Sequence, residues 1–408
     1  MYSERENSEV TDIFKKCYDF IRAAEARKQG LYPYFRPLQA SRGSKVIIEG
    51  RTLIMAGSNN YLGLAQDPRV EEAAIKAIEK YGTSCSGSRF INGSLILHEE
   101  LEARLALFTG KESALCFSTG YQTNLGAISA LVGRGEHIIT DKYNHASIVD
   151  GIFMTMGMNR DTRVHRYKHN DVKDLEQRLA AIPLEEAKLI VTDGVFSMEG
   201  DIVKLPEVKA LAEKYGARLY IDEAHAIGVI GGTGRGTTEH FDGSELADII
   251  MCTFSKSFAS LGGFVAGDDR VIDYIRHFAR PLIFSASMPP ANTAAVLASL
   301  DIIEKEPERA LRLQQIAVKM IKGFNDLGFN TGTTETPIIP LVIGDNDQTF
   351  LLWKALFERG VYVNPVISPA VPFNRSLIRT SYMAIHSDEE LDQVLEITGE
   401  EGRKLGII

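Results

Sequence analysis

Short apolar runs and stretches of helical spacing alternate along most of this chain, from about Arg69 to Phe284. The apolar runs predict strands over Ser113–Phe117, His137–Thr140, Thr162–Tyr167, Lys188–Thr192, Arg218–Ile221, Ile249–Cys252 and Gly263–Ala266. Between them, apolar residues recurring at helical intervals predict helices that include Pro68–Tyr81, Leu95–Phe108, Asn124–Val132, Asp171–Ala181 and Pro206–Tyr215. Strand–helix alternation of this kind predicts an α/β architecture, a mostly parallel sheet flanked by helices on both faces.

Outside that block the pattern changes. Residues 8–28 predict an amphipathic helix leading into the aromatic segment Leu31-Tyr32-Pro33-Tyr34-Phe35-Arg36. Lys45–Ile48 and Thr52–Met55, around Glu49-Gly50-Arg51, predict a hairpin. After Pro289-Pro290, two long helices (about Ala291–Glu304 and Pro307–Leu327) precede a strand at Ile338–Ile343 and a helix from Gln348. Short strands near Val361 and Leu377 and a final helix from Asp388 complete a small α+β carboxyl-terminal domain. The expected division is a helix-and-hairpin segment over 1–56, a large domain over 57–288 and a small domain over 289–408.

Composition narrows the function classes. With 408 residues and 24% charged side chains, this is the make-up of a globular enzyme. A net charge of −9 argues against nucleic acid as a partner. The four cysteines form no Cys-x-x-Cys pair and no metal-ligand spacing, so no metal is expected. Met1 to Val10 is polar, unlike a secretory signal, and no apolar run approaches a membrane span. A cytoplasmic protein is expected, with peripheral contact at the inner face of the cell membrane compatible with this composition.

The chemistry concentrates where predicted strands end. Open α/β sheets bind ligands at their carboxyl edge. Two such ends carry Asp222-Glu223-Ala224-His225 and Thr253-Phe254-Ser255-Lys256-Ser257. Lys256 reads either as a surface lysine or as a desolvated amine able to form a Schiff base with pyridoxal 5′-phosphate. Its apolar flanks favour the second. Asp222 reads as a helix cap, half of a metal pair, or the carboxylate that keeps a pyridine nitrogen protonated; no further metal ligands are evident. His225 could reach the ring's phenolate oxygen or a substrate carboxylate. In Asn144-His145-Ala146-Ser147, His145 is either a capping group or an aromatic that stacks on the cofactor ring.

Other segments suit the cofactor's remaining groups. Backbone N–H groups of Gly120 and Tyr121, at a helix start, would cradle its phosphate, and the hydroxyls of Thr253 and Ser255 would add to them. Ser197 is placed to hydrogen-bond the ring oxygen, the alternative being a simple turn. Arg379, on a short strand, offers a planar fork to an amino-acid carboxylate, with Asn59 nearby. The glycine run Gly231-Gly232-Thr233-Gly234-Arg235-Gly236 does not fit a dinucleotide fingerprint, and Gly110-Lys111-Glu112 is not a Walker motif.

With these residues in place the chain resembles the α-oxoamine synthases, pyridoxal-phosphate enzymes of the fold-type I aminotransferase superfamily, from about Gly30 onward. The likeness rests on Ser58-Asn59-Asn60-Tyr61-Leu62-Gly63, Asn144-His145-Ala146-Ser147-Ile148, the Asp222 and Lys256 segments and Arg379. It implies decarboxylative condensation of an amino acid with an acyl-CoA, with Lys256, His145, Asp222 and His225 as the catalytic set. It also implies a homodimer in which Ser285 and Ala286 reach the neighbouring cofactor's phosphate. The segments containing Tyr32, Ser88, Ser197, Ser285 and Pro365 are similar to those of members that use L-serine and a long-chain acyl-CoA such as palmitoyl-CoA, and place Ser88 in the substrate site. A glycine-using acetyltransferase is the alternative enzyme, and a non-catalytic partner subunit the alternative of another class. Tyr121 stands where such members often have Phe, so its phosphate contact is expected through backbone.

Overall fold

The chain begins its regular sheet structure with three strands, β1 (Ala40–Arg42), β2 (Lys45–Ile48) and β3 (Arg51–Met55). Ile48 pairs with Arg51, and Glu49 and Gly50 both take positive φ (53° and 73°). A two-residue hairpin turn needs that conformation to follow strand twist. The computed structural model describes residues 12–408.

Seven further strands form the central sheet: β4 (Ser113–Phe117), β5 (His137–Asp141), β6 (Arg163–Tyr167), β7 (Lys188–Asp193), β8 (Arg218–Asp222), β9 (Ile249–Thr253) and β10 (Gly263–Gly267). Their spatial order is β4-β10-β9-β8-β7-β5-β6. Every strand but β10 runs the same way; β10 is antiparallel to both β4 and β9. Each residue of β7 and β9 is buried, which is why these segments read as continuous apolar runs and not as alternating ones. This is the mostly parallel, helix-flanked sheet expected from the strand–helix alternation, and it agrees with the fold-type I architecture that the resemblance implies.

The helices follow the predicted pattern with two differences. The segment read as one helix over 8–28 holds two short helices, Lys15–Tyr18 and Arg22–Lys28, with no buried residue in either. Residues 8–11 lie outside the described residues. With no apolar face buried, nothing bridges the break at Asp19 to Ile21. The helix expected from Asn124 begins at Gly120, because the Thr119 hydroxyl accepts the Gln122 N–H at 3.1 Å and caps it there. Helices at Ala146–Met158 and Asp269–Phe278 complete the cover of the sheet.

The last strands are β11 (Ile338–Gly344), β12 (Val361–Tyr362), β13 (Asn364–Val366) and β14 (Ser376–Ser381). β11, β14 and β13 form a small antiparallel sheet in that order. β12 does not join it. It pairs parallel with β3, Val361 opposite Ile54, so the hairpin sheet and the carboxyl-terminal region are stitched together. Ile54, Ile316, Trp353, Ile378 and Tyr382 share the core beneath them. The helix Pro290–Lys305 instead packs on Pro68–Tyr81, and its Val296, Leu300 and Ile303 join Leu101, Phe254 and Phe264 in the core of the central sheet.

Candidate active site

The carboxyl ends of β4, β5, β7, β8 and β9 converge on one cavity of about 310 Å³. Gly120, Tyr121, His145, Asp222, His225, Thr253, Ser255 and Lys256 all line it. Lys256 and Asp222 therefore line one shared cavity.

β8 ends at Asp222, which is 3% exposed. Its Oδ1 accepts the Ala224 N–H at 2.9 Å and its Oδ2 accepts the Asn124 side-chain amide at 2.8 Å. Asn124 is itself fixed by the Tyr220 hydroxyl, which donates to its Oδ1 at 2.8 Å, and its amide also reaches Ser147 Oγ at 2.8 Å. A buried carboxylate so held keeps its orientation without a cationic partner.

The strand β9 delivers Thr253, and Lys256 follows it. Desolvation pushes the Lys256 amine below its ordinary value of 10.5, with the Asp222 charge opposing the shift. A lowered amine pKa leaves more of the free base that imine formation requires. Thr253 Oγ1 and Ser255 Oγ lie 2.9 Å apart at the same end of the cavity as the start of the Gly120–Leu131 helix. A Cβ built on Gly120 would stand 2.5 Å from Thr253 Oγ1, so only glycine lets this helix end approach that hydroxyl. Free N–H groups of a helix's first turn and two hydroxyls form an anion cradle.

On the other side of the cavity, β5 leads to His145, the cap of the Ala146–Met158 helix. The Asn144 amide bonds Thr140 Oγ1 and the Val191 carbonyl, both at 2.8 Å. The His145 N–H reaches Asp193 Oδ2 at 3.0 Å, and its Nδ1 lies 2.7 Å from Ser147 Oγ. Burial lowers the His145 pKa, leaving a neutral planar ring on the cavity wall. Burial, with the charge of Asp222, raises the Asp193 carboxyl well above its usual range.

Arg379, from β14, is 5% exposed and sits behind His225. Its Nε donates to the Ser197 carbonyl at 2.6 Å, and one terminal nitrogen reaches Asn59 Oδ1 at 3.2 Å and the Tyr61 hydroxyl at 3.4 Å. Tyr61 in turn lies 2.7 Å from His225 Nδ1. Asn59, Arg379 and His225 are thus one connected network. Ser197 lines an adjoining groove of about 650 Å³ that shares His145 with the first cavity.

Six expected site residues are not part of the cavity lining: Asn59, Arg379 and Ser197, described above, and Ser88, Ser285 and Ala286. The Ser88 carbonyl accepts the Gly93 N–H at 2.8 Å, closing a turn over residues 88–93, and its hydroxyl is buried with no partner among the described residues. Ser285 Oγ accepts the Gln122 side-chain amide at 2.9 Å, and the Ala286 carbonyl accepts the Ser118 hydroxyl. Both therefore contact residues that flank the helix start at Gly120. Sequence reading gave no role to Tyr61, Asn124, Ser147 or Asp193. Tyr61 and Ser147 lie inside the motifs singled out; Asn124 and Asp193 are single polar residues bordering apolar runs.

The donor set fits pyridoxal 5′-phosphate: an amine, a fixed carboxylate, a planar neutral ring, and a cradle that a side chain on Gly120 would fill. The comparisons agree. The family of class I and II aminotransferases matches residues 51–397. Serine palmitoyltransferase of Sphingobacterium spiritivorum is 50% identical over 384 residues, 94% of this chain and 95% of its own. The 8-amino-7-oxononanoate synthase of Thermoanaerobacter pseudethanolicus is 42% identical over 393 residues, 96% of this chain and 98% of its own. A solved serine palmitoyltransferase of S. paucimobilis with bound pyridoxal phosphate and myriocin superposes with a TM-score of 0.93 at 36% identity, covering 98% of this chain and all of that one. The chain belongs to the class I and II aminotransferase family and, within it, is a pyridoxal-phosphate-dependent α-oxoamine synthase.

Proposed function

We propose that this enzyme is a serine C-palmitoyltransferase, condensing L-serine with palmitoyl-CoA or a similar long-chain acyl-CoA. It releases CoA and CO₂ and gives 3-oxosphinganine, the first step of sphingolipid synthesis. The observation that carries this reading is the gradient of likeness: 50% identity to a serine palmitoyltransferase against 42% to an oxononanoate synthase, over nearly the whole chain in both cases.

When bound, pyridoxal phosphate supplies an aldehyde for an amine to capture and a protonated ring that draws electrons from the substrate's α-carbon. In this proposal the Lys256 amine would tether the cofactor and would also be the base that takes the α-proton of serine. Asp222 holds the proton on the ring nitrogen. His145 would supply a flat wall against the ring, and His225 and Ser197 would offer hydrogen bonds to its oxygen. Gly120 and Tyr121 through backbone, with Thr253 and Ser255 through hydroxyls, hold the phosphate. Arg379 and Asn59 bind the serine carboxylate, Arg379 exchanging one of its internal partners for it, and Ser88 flanks the acyl donor. A homodimer would let Ser285 and Ala286 of one protomer border its partner's phosphate.

The large-domain and small-domain division at 57–288 and 289–408 belongs to the same reading, as does a cytoplasmic site of action. Among the described residues no helix is long and apolar enough to cross a membrane. Peripheral contact at the inner face of the cell membrane would let a long-chain product leave. Purified enzyme offered serine, glycine or alanine with acetyl- or palmitoyl-CoA tests the assignment by mass spectrometry of the products. Serine with palmitoyl-CoA should dominate; faster turnover of glycine with acetyl-CoA would replace this reading with an acetyltransferase.

A further inference from the structure

Tyr61 is wholly buried between two groups that differ in what they can accept. A tyrosine hydroxyl has one proton to give and lone pairs to receive. Arg379 is donor-only, so at 3.4 Å it can only give to the Tyr61 oxygen. The hydroxyl proton then has two possible destinations, His225 Nδ1 at 2.7 Å or Asn59 Oδ1 at 3.4 Å. A 2.7 Å contact is the better hydrogen bond, and with Arg379 already donating to the Tyr61 oxygen the geometry favours giving this proton to Nδ1. An imidazole that accepts at Nδ1 and is neutral carries its own proton on Nε2. Neutrality follows from the surroundings: the ring is 7% exposed, and Lys256, Arg379 and His145 all disfavour a further positive charge beside it.

We infer that Tyr61 is a positioning residue that fixes His225 in the Nε2–H tautomer, making its free nitrogen an obligatory donor on the cavity wall. His225 lines that cavity. A donor there suits an anionic oxygen of the cofactor or substrate and rejects a cation. Tyr61 also ties this choice to Arg379, since the arginine's donation to the hydroxyl oxygen leaves the hydroxyl proton for His225. The chemical destination of the Nε2 proton rests on the functional reading above; the tautomer itself does not.

Nitrogen-15 spectra of histidine-labelled, cofactor-free protein test the tautomer directly, with His225→Gln supplying the assignment. His225 should show a protonated Nε2 and an acceptor-type Nδ1 throughout neutral pH. A protonated Nδ1, or an imidazolium that titrates near neutrality, would overturn the inference. Tyr61→Phe keeps the packed ring and removes the hydroxyl. It should mix the two tautomers and lower kcat/KM for the amino acid about tenfold, the scale of one lost hydrogen bond. Unchanged tautomer and unchanged kcat/KM in that variant would also sink it. If the product analysis instead points to another amino acid, the spectra still decide this question, so the two failures are separable.

Discussion

The side-chain amide of Asn124 donates to Asp222 Oδ2 at 2.8 Å, joining the helix that starts at the anion cradle to the strand end that carries the carboxylate. One residue therefore sets the spacing between the two ends of the cavity. Asn124→Leu should leave Asp222 Oδ2 and the Tyr220 hydroxyl without their buried partner. Urea unfolding of the cofactor-free chain should show a loss of about 1–3 kcal/mol. Cofactor affinity, read by fluorescence titration, should weaken as well.

Lys256→Ala removes the amine while leaving the Asp222 and Gly120 ends of the cavity in place. The variant should bind pyridoxal phosphate without a covalent bond, seen as loss of the yellow absorbance and failure of borohydride to attach the cofactor. Turnover should drop by several orders of magnitude. Retained covalent labelling would move the tether to another lysine.

Gly120→Ala places a methyl group 2.5 Å from Thr253 Oγ1 and 2.6 Å from Thr253 Cβ. Relief requires the helix start to move away from the hydroxyl pair. The variant should lose about 1–3 kcal/mol of stability by overpacking. Its phosphate affinity should fall, measured by titration with pyridoxal phosphate and, separately, with pyridoxal, whose binding should change little.

The pH response should centre on His169, which bridges Asp141 and Asp201 at 3.1 Å each and stacks on Tyr143 at 4.5 Å between centroids. Burial opposes its protonation, but the two carboxylates outweigh burial and raise its pKa from 6.5 to about 10. Because the folded value lies above the unfolded one, the stabilisation is complete below the ordinary value of 6.5 and is lost as pH rises through about 10. His169→Gln should accordingly cost most in mildly acidic buffer and progressively less as pH approaches that upper value. Melting temperatures across that range, at constant ionic strength, check the sign.

The sheet was legible because its central strands are buried on both faces, so β7 and β9 announce themselves as uninterrupted apolar runs. Lys256, Asp222 and His145 were legible because each follows such a run. The start of the helix at Gly120 was not, since its signal is a threonine cap amid residues that also suit a loop. The pairing of β12 with β3 was not legible: two residues carry no record of their partner, and β3 lies far away in sequence. Tyr61 and Asn124 escaped for a related reason. Their importance lies in hydrogen bonds to residues more than ninety positions away, a relationship no local pattern encodes.

Gly263 illustrates how little latitude the reversed strand leaves. A Cβ there would sit 2.6 Å from Thr123 Oγ1, 2.8 Å from Gly120 Cα and 2.9 Å from the Cys252 carbonyl. Helix and sheet touch backbone to backbone at that point. Evolutionary drift at this site is consequently closed: in a saturation library selected for growth or binding, every codon but glycine should vanish, however mild the substitution looks on paper.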